Sequence, residues 1–149
     1  MAKVIGYAGG AFDLFHVGHL NLLRRARSQC DFLIASVASD ELLIARKGRA
    51  PIVPLAESLE IVRNIAIVDQ AIEENQTNRL DLWHTMHFDV LFKGNDWKGK
   101  PNRFELEQLF GSVGVHVIYF PYTVHTSSAI LRRTLAMINE ETSNPQVAQ

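Results

Sequence analysis

The chain has 149 residues, 15 Lys plus Arg against 16 Asp plus Glu, and 47% hydrophobic side chains, which fits one domain that can bury about two-thirds of its unfolded surface. A net charge of -1 argues against a protein held mainly by nucleic-acid phosphates or an anionic membrane surface, and no apolar run approaches the roughly 18 residues of a membrane span. The single cysteine, Cys30, excludes an intramolecular disulfide framework; with a start that lacks a signal peptide's cleavage pattern, it points to the reducing cytoplasm.

Along the chain the apolar period switches repeatedly between strand and helix. Val4 to Ala8 is a strand-type run. From Gly18 to Gln29 the spacing is helical, with Leu20, Leu23 and Ala26 on one face and Arg24, Arg25 and Arg27 mostly off it. Phe32 to Val37 is a second strand, and Ser39-Asp40-Glu41 starts a helix. Arg46 to Pro54, with Gly48, Pro51 and Pro54, reads as a loop. Leu55, Leu59, Val62 and Ala66 mark a helical stripe, and a brief strand falls at Gln70 to Ile72. Arg79 to His87 is helix and Asp89 to Lys93 a buried strand. Leu106, Leu109, Phe110 and Val113 follow helical spacing, Val115 to Phe120 is the last strand, and Ile130 to Ile138 makes the closing helix. The division expected is a domain over 1–141 and a polar, frayed tail over 142–149.

Five strands alternating with helices predict an α/β, Rossmann-like, doubly wound and mainly parallel sheet, with helices on both faces. Ligands in such sheets bind beyond the carboxyl ends of the strands. Three segments that follow strands carry the residues of interest.

The first is Gly9-Gly10-Ala11-Phe12-Asp13 followed by His16-Val17-Gly18-His19. Glycines let backbone approach a ligand, and a helix N-terminus presents N–H groups to an anion. Two imidazoles three apart share a helical face and can donate to phosphate oxygens. Helix capping and a structural metal are the plainer roles for such a pair. The second segment, Lys93-Gly94-Asn95-Asp96-Trp97, sets an accepting carboxylate beside a stacking indole, a pairing suited to a nucleobase. The third, Pro121-Tyr122-Thr123-Val124-His125-Thr126-Ser127-Ser128, offers hydroxyls that cap a helix or grip phosphate. Arg46-Lys47-Gly48-Arg49 adds a basic stretch beyond the second strand. His84 and His87 stand three apart without a third ligand nearby. Trp83 and His116 read as structural, and nothing marks Cys30 as a nucleophile.

The run Gly10-Ala11-Phe12-Asp13-x-x-His16-x-Gly18-His19 resembles the signature of the small cytidylyltransferase-like nucleotidyltransferases, most closely their glycerol-3-phosphate cytidylyltransferase branch. The resemblance extends from Val4 to about Ile138. It implies that His16 and His19 hold the triphosphate and stabilise the transition state. It implies nucleotide contacts from Gly10, Ala11, Phe12, Gly18, Arg49, Asp96, Trp97, Tyr122, Thr123, Thr126, Ser127 and Ser128. Lys47 is implied at the acceptor phosphate, as a catalytic residue, with Arg79 near a further acceptor contact. The chain departs from the family at Ala11 for Thr, Asn95 for Asp, Tyr122 for Arg, and Ser58 and Ala66 for two further arginines.

The activity expected is transfer of a cytidylyl group from CTP to a small phosphorylated alcohol, glycerol 3-phosphate first, with Mg²⁺ carried on the triphosphate. The partners are then small molecules, with no nucleic acid and no membrane, and the resemblance implies a homodimer. Adenylyl transfer from ATP to a flavin or sugar phosphate is the alternative. A nucleotide-binding protein that has lost catalysis is a third reading, which the missing arginines favour.

Overall fold

The computed structural model describes residues 2–94, 101–121 and 125–143. Its strands are β1 (Ile5–Gly10), β2 (Phe32–Ala38), β3 (Gln70–Glu74), β4 (Val90–Gly94) and β5 (His116–Phe120). The helices are α1 (Val17–Arg27), α2 (Asp40–Lys47), α3 (Leu55–Arg63), α4 (Arg79–Met86), α5 (Pro101–Gly111) and α6 (Ser128–Ser143). The strands form one sheet in the order β3-β2-β1-β4-β5, and every pairing is parallel. The order reverses between β1 and β4, so the crevice for a ligand opens beyond Gly10 and Gly94. Among the described residues no helix is long and apolar enough to cross a membrane.

The two sheet faces carry separate cores. Ala8, Leu33, Ala35, Val37 and Phe92 face α1 and α3 through Leu23, Ala26 and Val62. Tyr7, Ile34 and Leu91 face α4 and α5 through Leu82, Leu106 and Phe110. This alternation follows from the two-residue period of a strand covered on both sides. Three aspartates just before strands lock the amino-terminal edge. Asp31 accepts from Val4 N at 2.8 Å, Asp69 from Leu33 N at 2.7 Å, and Asp89 from Ile5 N at 2.9 Å. Each thereby satisfies a backbone donor at the start of a neighbouring strand.

The expected elements are all present, with their ends moved. β3 runs two residues further, to Glu74, because that carboxylate is buried by partners distant in sequence. The loop expected from Arg46 begins later: α2 continues through Lys47 and stops at Gly48, whose φ of 72° is the left-handed conformation glycine adopts without strain. α3 ends before Ala66. α5 starts at Pro101, ahead of the apolar spacing that signalled it, as proline suits a first helical position. α6 extends to Ser143 and so takes in Thr142, placed in the tail by sequence; its hydroxyl bonds back to Ile138 O at 3.1 Å.

Candidate active site

Two histidines cap one helix and lend it their outward nitrogens. His16 is the N-cap of α1. Its Nδ1 accepts from Gly18 N at 3.0 Å, while His19 Nδ1 accepts from His16 N at 3.1 Å. The two side chains form a reciprocal capping box, with an imidazole where Glu or Gln commonly stands. A nitrogen that accepts carries no proton, so in each neutral ring the proton resides on Nε2. Capping and anion binding are therefore compatible: the same bonds that cap the helix leave two Nε2–H donors. The rings lie 4.0 Å apart by centroid.

The pair is held uncharged. His19 lies against the rings of Phe12 and Phe15, at 5.5 and 5.3 Å by centroid. Burial, then the neighbouring His16, bring its pKa down to about 4, against a smaller upward pull from Asp13. Burial also lowers His16. A charged imidazole is thus disfavoured until an anion arrives.

The turn that carries this pair is strained and clamped. Phe12 and Leu14 have φ of 47° and 53°, unusual for residues with a β-carbon. Asp13 between them is 3% exposed. Its carboxylate accepts from Ile52 N at 2.9 Å and Val53 N at 2.8 Å, and its carbonyl accepts from Ser128 Oγ at 2.8 Å. Arg132 lies 3.9 Å from the same carboxylate. Asp13 therefore joins the β1–α1 turn, the segment after Arg49 and the start of α6. Sequence placed Asp13 inside the motif without assigning it a role; its partners are 39 and 115 residues away.

Around this clamp the expected residues take distinct places. Gly10 ends β1, where an added β-carbon would meet only Phe12, no nearer than 3.7 Å; packing does not demand a glycine there. Ala11 follows, packed against the small cluster of Ala38, Leu42 and Leu43. Gly18 lies in the first turn of α1, whose first turn contains no acid, as is true of α6. Ser127 Oγ accepts from Ile130 N at 3.1 Å, and so caps α6 beside the partly buried Thr126. Arg49 is near enough to Arg132 for the two charges to repel. Two helix N-termini, two Nε2–H donors and two guanidiniums thus belong to one region, which suits a polyanion.

Lys47 ends α2 on the exposed rim. Arg79 opens α4, over the other sheet face, where Arg46 and Glu74 act on it electrostatically. The structure thus separates Arg49 from Arg79. Asp96, Trp97, Tyr122 and Thr123 lie outside the described residues. Of the departures from the family, Ser58 is buried within α3, its hydroxyl donating to Val53 O at 3.4 Å, and Ala66 is exposed in the turn after that helix.

Two of the residues set aside, Trp83 and Cys30, have local backbone partners. Trp83 Nε1 donates to Phe88 O at 3.1 Å. Cys30 Sγ contacts Ala26 O at 3.3 Å, and burial raises its pKa, which opposes thiolate chemistry. Among the described residues no group of three or more His, Cys, Asp or Glu could hold a metal ion.

A five-stranded, all-parallel sheet flanked by helices on both faces, with capped helix N-termini at its switch point, defines a Rossmann-like α/β protein. The chain belongs to the Cytidylyltransferase-like family, which matches residues 7–145. It is 36% identical over 135 residues to an FAD synthase from Pyrococcus abyssi, covering 89% of this chain and 90% of that one. It is 32% identical over 143 residues to the glycerol-3-phosphate cytidylyltransferase of Bacillus spizizenii, covering 93% and 100%. In fold it is similar to a lipopolysaccharide core biosynthesis protein from Thermoplasma volcanium, with a TM-score of 0.69 and 22% identity, over 84% of this chain and 100% of that one.

Proposed function

We propose that the protein transfers CMP from CTP to a small phosphorylated alcohol, glycerol 3-phosphate first, and releases pyrophosphate. The observation that carries nucleotidyl transfer is the capping box of His16 and His19, which leaves two neutral Nε2–H donors at a helix N-terminus. Arg49, Arg132 and the start of α6 add positive potential beside them. Such donors suit the charge that develops on the α-phosphate and the leaving pyrophosphate.

An oxygen of the acceptor phosphate attacks the α-phosphorus, and the bond between the α-phosphorus and its bridging oxygen breaks. The electron pair leaves with pyrophosphate. The acceptor phosphate has a second pKa of about 6 and is largely dianionic at neutral pH, so no protein base has to remove a proton. The chain's task is positioning and charge neutralisation. Lys47, at the exposed end of α2, is assigned to the acceptor phosphate. Among the described residues no group of three or more His, Cys, Asp or Glu could hold a metal ion, and both carboxylate oxygens of Asp13 accept from backbone N–H groups. Mg²⁺ would be carried by the oxygens of the incoming triphosphate, whose charge it would help to neutralise.

CTP is preferred on the sequence Asp96-Trp97, since cytosine's exocyclic amine donates to a carboxylate. The second reading, adenylyl transfer from ATP to a flavin phosphate, draws on the identity with the FAD synthase. The functional reading carries with it a cytoplasmic, homodimeric enzyme. Pyrophosphate release from each of the four NTPs, with glycerol 3-phosphate, flavin mononucleotide and sugar phosphates as acceptors, tests these readings together. Release that requires CTP and glycerol 3-phosphate supports the first. A requirement for ATP and a flavin phosphate replaces it with the second. No release with any pair removes catalysis and leaves a nucleotide-binding protein.

A further inference from the structure

α6 is rooted in the site at one end and stands clear of the fold at the other. Its first turn is tied down by Ser128 Oγ, which donates to Asp13 O at 2.8 Å, and by Arg132, 3.9 Å from the Asp13 carboxylate. None of its residues is buried, and from Arg133 to Ser143 every residue is exposed. A helix of this length is marginal in water unless an amphipathic face is covered.

That uncovered stretch is apolar along one side. Leu135 is 41% exposed, Met137 62% and Ile138 50%. The other large exposed apolar side chains, Val17, Ile44, Ile52, Ile61 and Phe104, stand singly on separate segments, which is ordinary for a protein surface. Leu131, Leu135, Ile138 and Thr142 follow the alternating four and three spacing of a coiled-coil seam. The threonines do not interrupt it. Thr142 Oγ1 donates to Ile138 O at 3.1 Å, and Thr134, beside the seam, donates to Ile130 O at 3.0 Å. Both hydroxyls are thus satisfied within the helix itself.

The charges say what fits this face. Arg132 and Arg133 lie toward the start of α6, Glu140 and Glu141 toward its end. The seam and the charges share one centre, between Ala136 and Met137. Turned end for end about that point, the helix sets Leu135 against Ile138 of a second copy, and Leu131 against Thr142. The same turn brings the arginine end level with the glutamate end. A parallel pair would set like charges abreast, which costs association. A helix that lies on a membrane surface carries its basic residues along the whole polar face; here the polar side is basic at one end and acidic at the other.

We propose that α6 is a self-association surface, pairing antiparallel with α6 of a second copy of this chain through Leu131, Leu135, Ile138 and Thr142. The proposal needs no particular chemistry at the histidines. It locates a surface through which copies of this chain associate. The seam is about three turns long, short of the roughly 1,200 Å² from which stable interfaces start, so association belongs in the micromolar range.

Sedimentation equilibrium of the full chain from about 1 to about 100 µM tests this, with melting temperatures over the same range. The wild type should self-associate, and its melting temperature should rise with concentration. Leu135→Asp with Ile138→Asp should weaken that association step tenfold or more, because two carboxylates would have to leave water at the seam. Both side chains are exposed in the single chain, so the variant's melting temperature should match that of the dilute wild type. Should the double variant fail to fold, Leu135→Gln carries the same comparison. Orientation is read at low ionic strength from Arg133→Glu and from Glu140→Arg with Glu141→Arg. Each should associate less than the wild type, and an equimolar mixture should associate more tightly than either alone. A wild type that stays monomeric throughout overturns the proposal, as does a seam variant that associates as tightly as the wild type. A mixture no tighter than its components overturns the antiparallel arrangement. A monomeric wild type that binds phosphatidylglycerol vesicles overturns the second copy and gives the face to a membrane. Turnover enters none of these measurements, so failure here is distinct from failure of the nucleotidyl-transfer reading.

Discussion

His16→Asn and His19→Asn separate the two jobs of the capping box. The asparagine carboxamide oxygen can take the place of Nδ1, so the acceptors for Gly18 N and His16 N are kept. The Nε2–H donor is removed. Asparagine is among the best N-cap residues, so His16→Asn should cost well under about 1 kcal/mol of stability, whereas His16→Ala also loses the cap, at about 0.5–2 kcal/mol. Loss of one donor to developing charge typically costs about 10²–10³-fold in kcat, or roughly 3–4 kcal/mol of barrier. Each Asn variant should therefore lose at least about two orders of magnitude in kcat. CTP affinity should fall much less, because a bond that strengthens in the transition state contributes less to the ground state. Pyrophosphate release, calorimetric CTP binding and denaturant midpoints on the same samples separate the effects. Asn variants that keep wild-type kcat while the Ala variants lose both stability and activity would show that the histidines only cap α1, and the catalytic assignment would fall.

Asp13→Ala should be severely destabilising, by about 3–5 kcal/mol, since it strands two backbone N–H groups that bond a buried carboxylate; denaturant unfolding checks this, and a loss below about 1 kcal/mol would refute the clamp. Stability of the unliganded protein should be fully present above the unfolded histidine pKa and decline as the pH falls from about 6.5 to about 4, because His19 titrates at about 4 in the folded state. The unfolded chain binds the extra proton in that window, and the loss amounts to about 3 kcal/mol, measurable as a falling denaturant midpoint. Lys47→Ala should raise the acceptor KM with little change in the CTP KM; an unchanged acceptor KM would remove Lys47 from the acceptor site. In matched Mg²⁺, CTP should bind more tightly than ATP by calorimetry, and equal or tighter ATP binding would reject the cytidylyl reading.

Sequence alone determined the alternation of strand and helix and the winding class, and it marked where the candidate anion site falls. These are local matters: apolar periods of 2 and 3.6, and a glycine-rich strand end running into a helix. The histidine pair was legible for the same reason, since residues three apart at a helix start share a face. What the two rings do with their inner nitrogens was not legible, because capping requires the extended backbone of His16 and the turn before it. Only the tertiary structure shows what Asp13, Arg46 and Glu74 touch. Asp13 acts through Ile52, Val53 and Ser128, and Glu74 through Ser36 and Arg46, all brought close by sheet order and register. A carboxylate read in sequence is a solvated charge by default. It becomes a structural tie only where folding removes it from water and supplies donors from distant segments, and no local period encodes that.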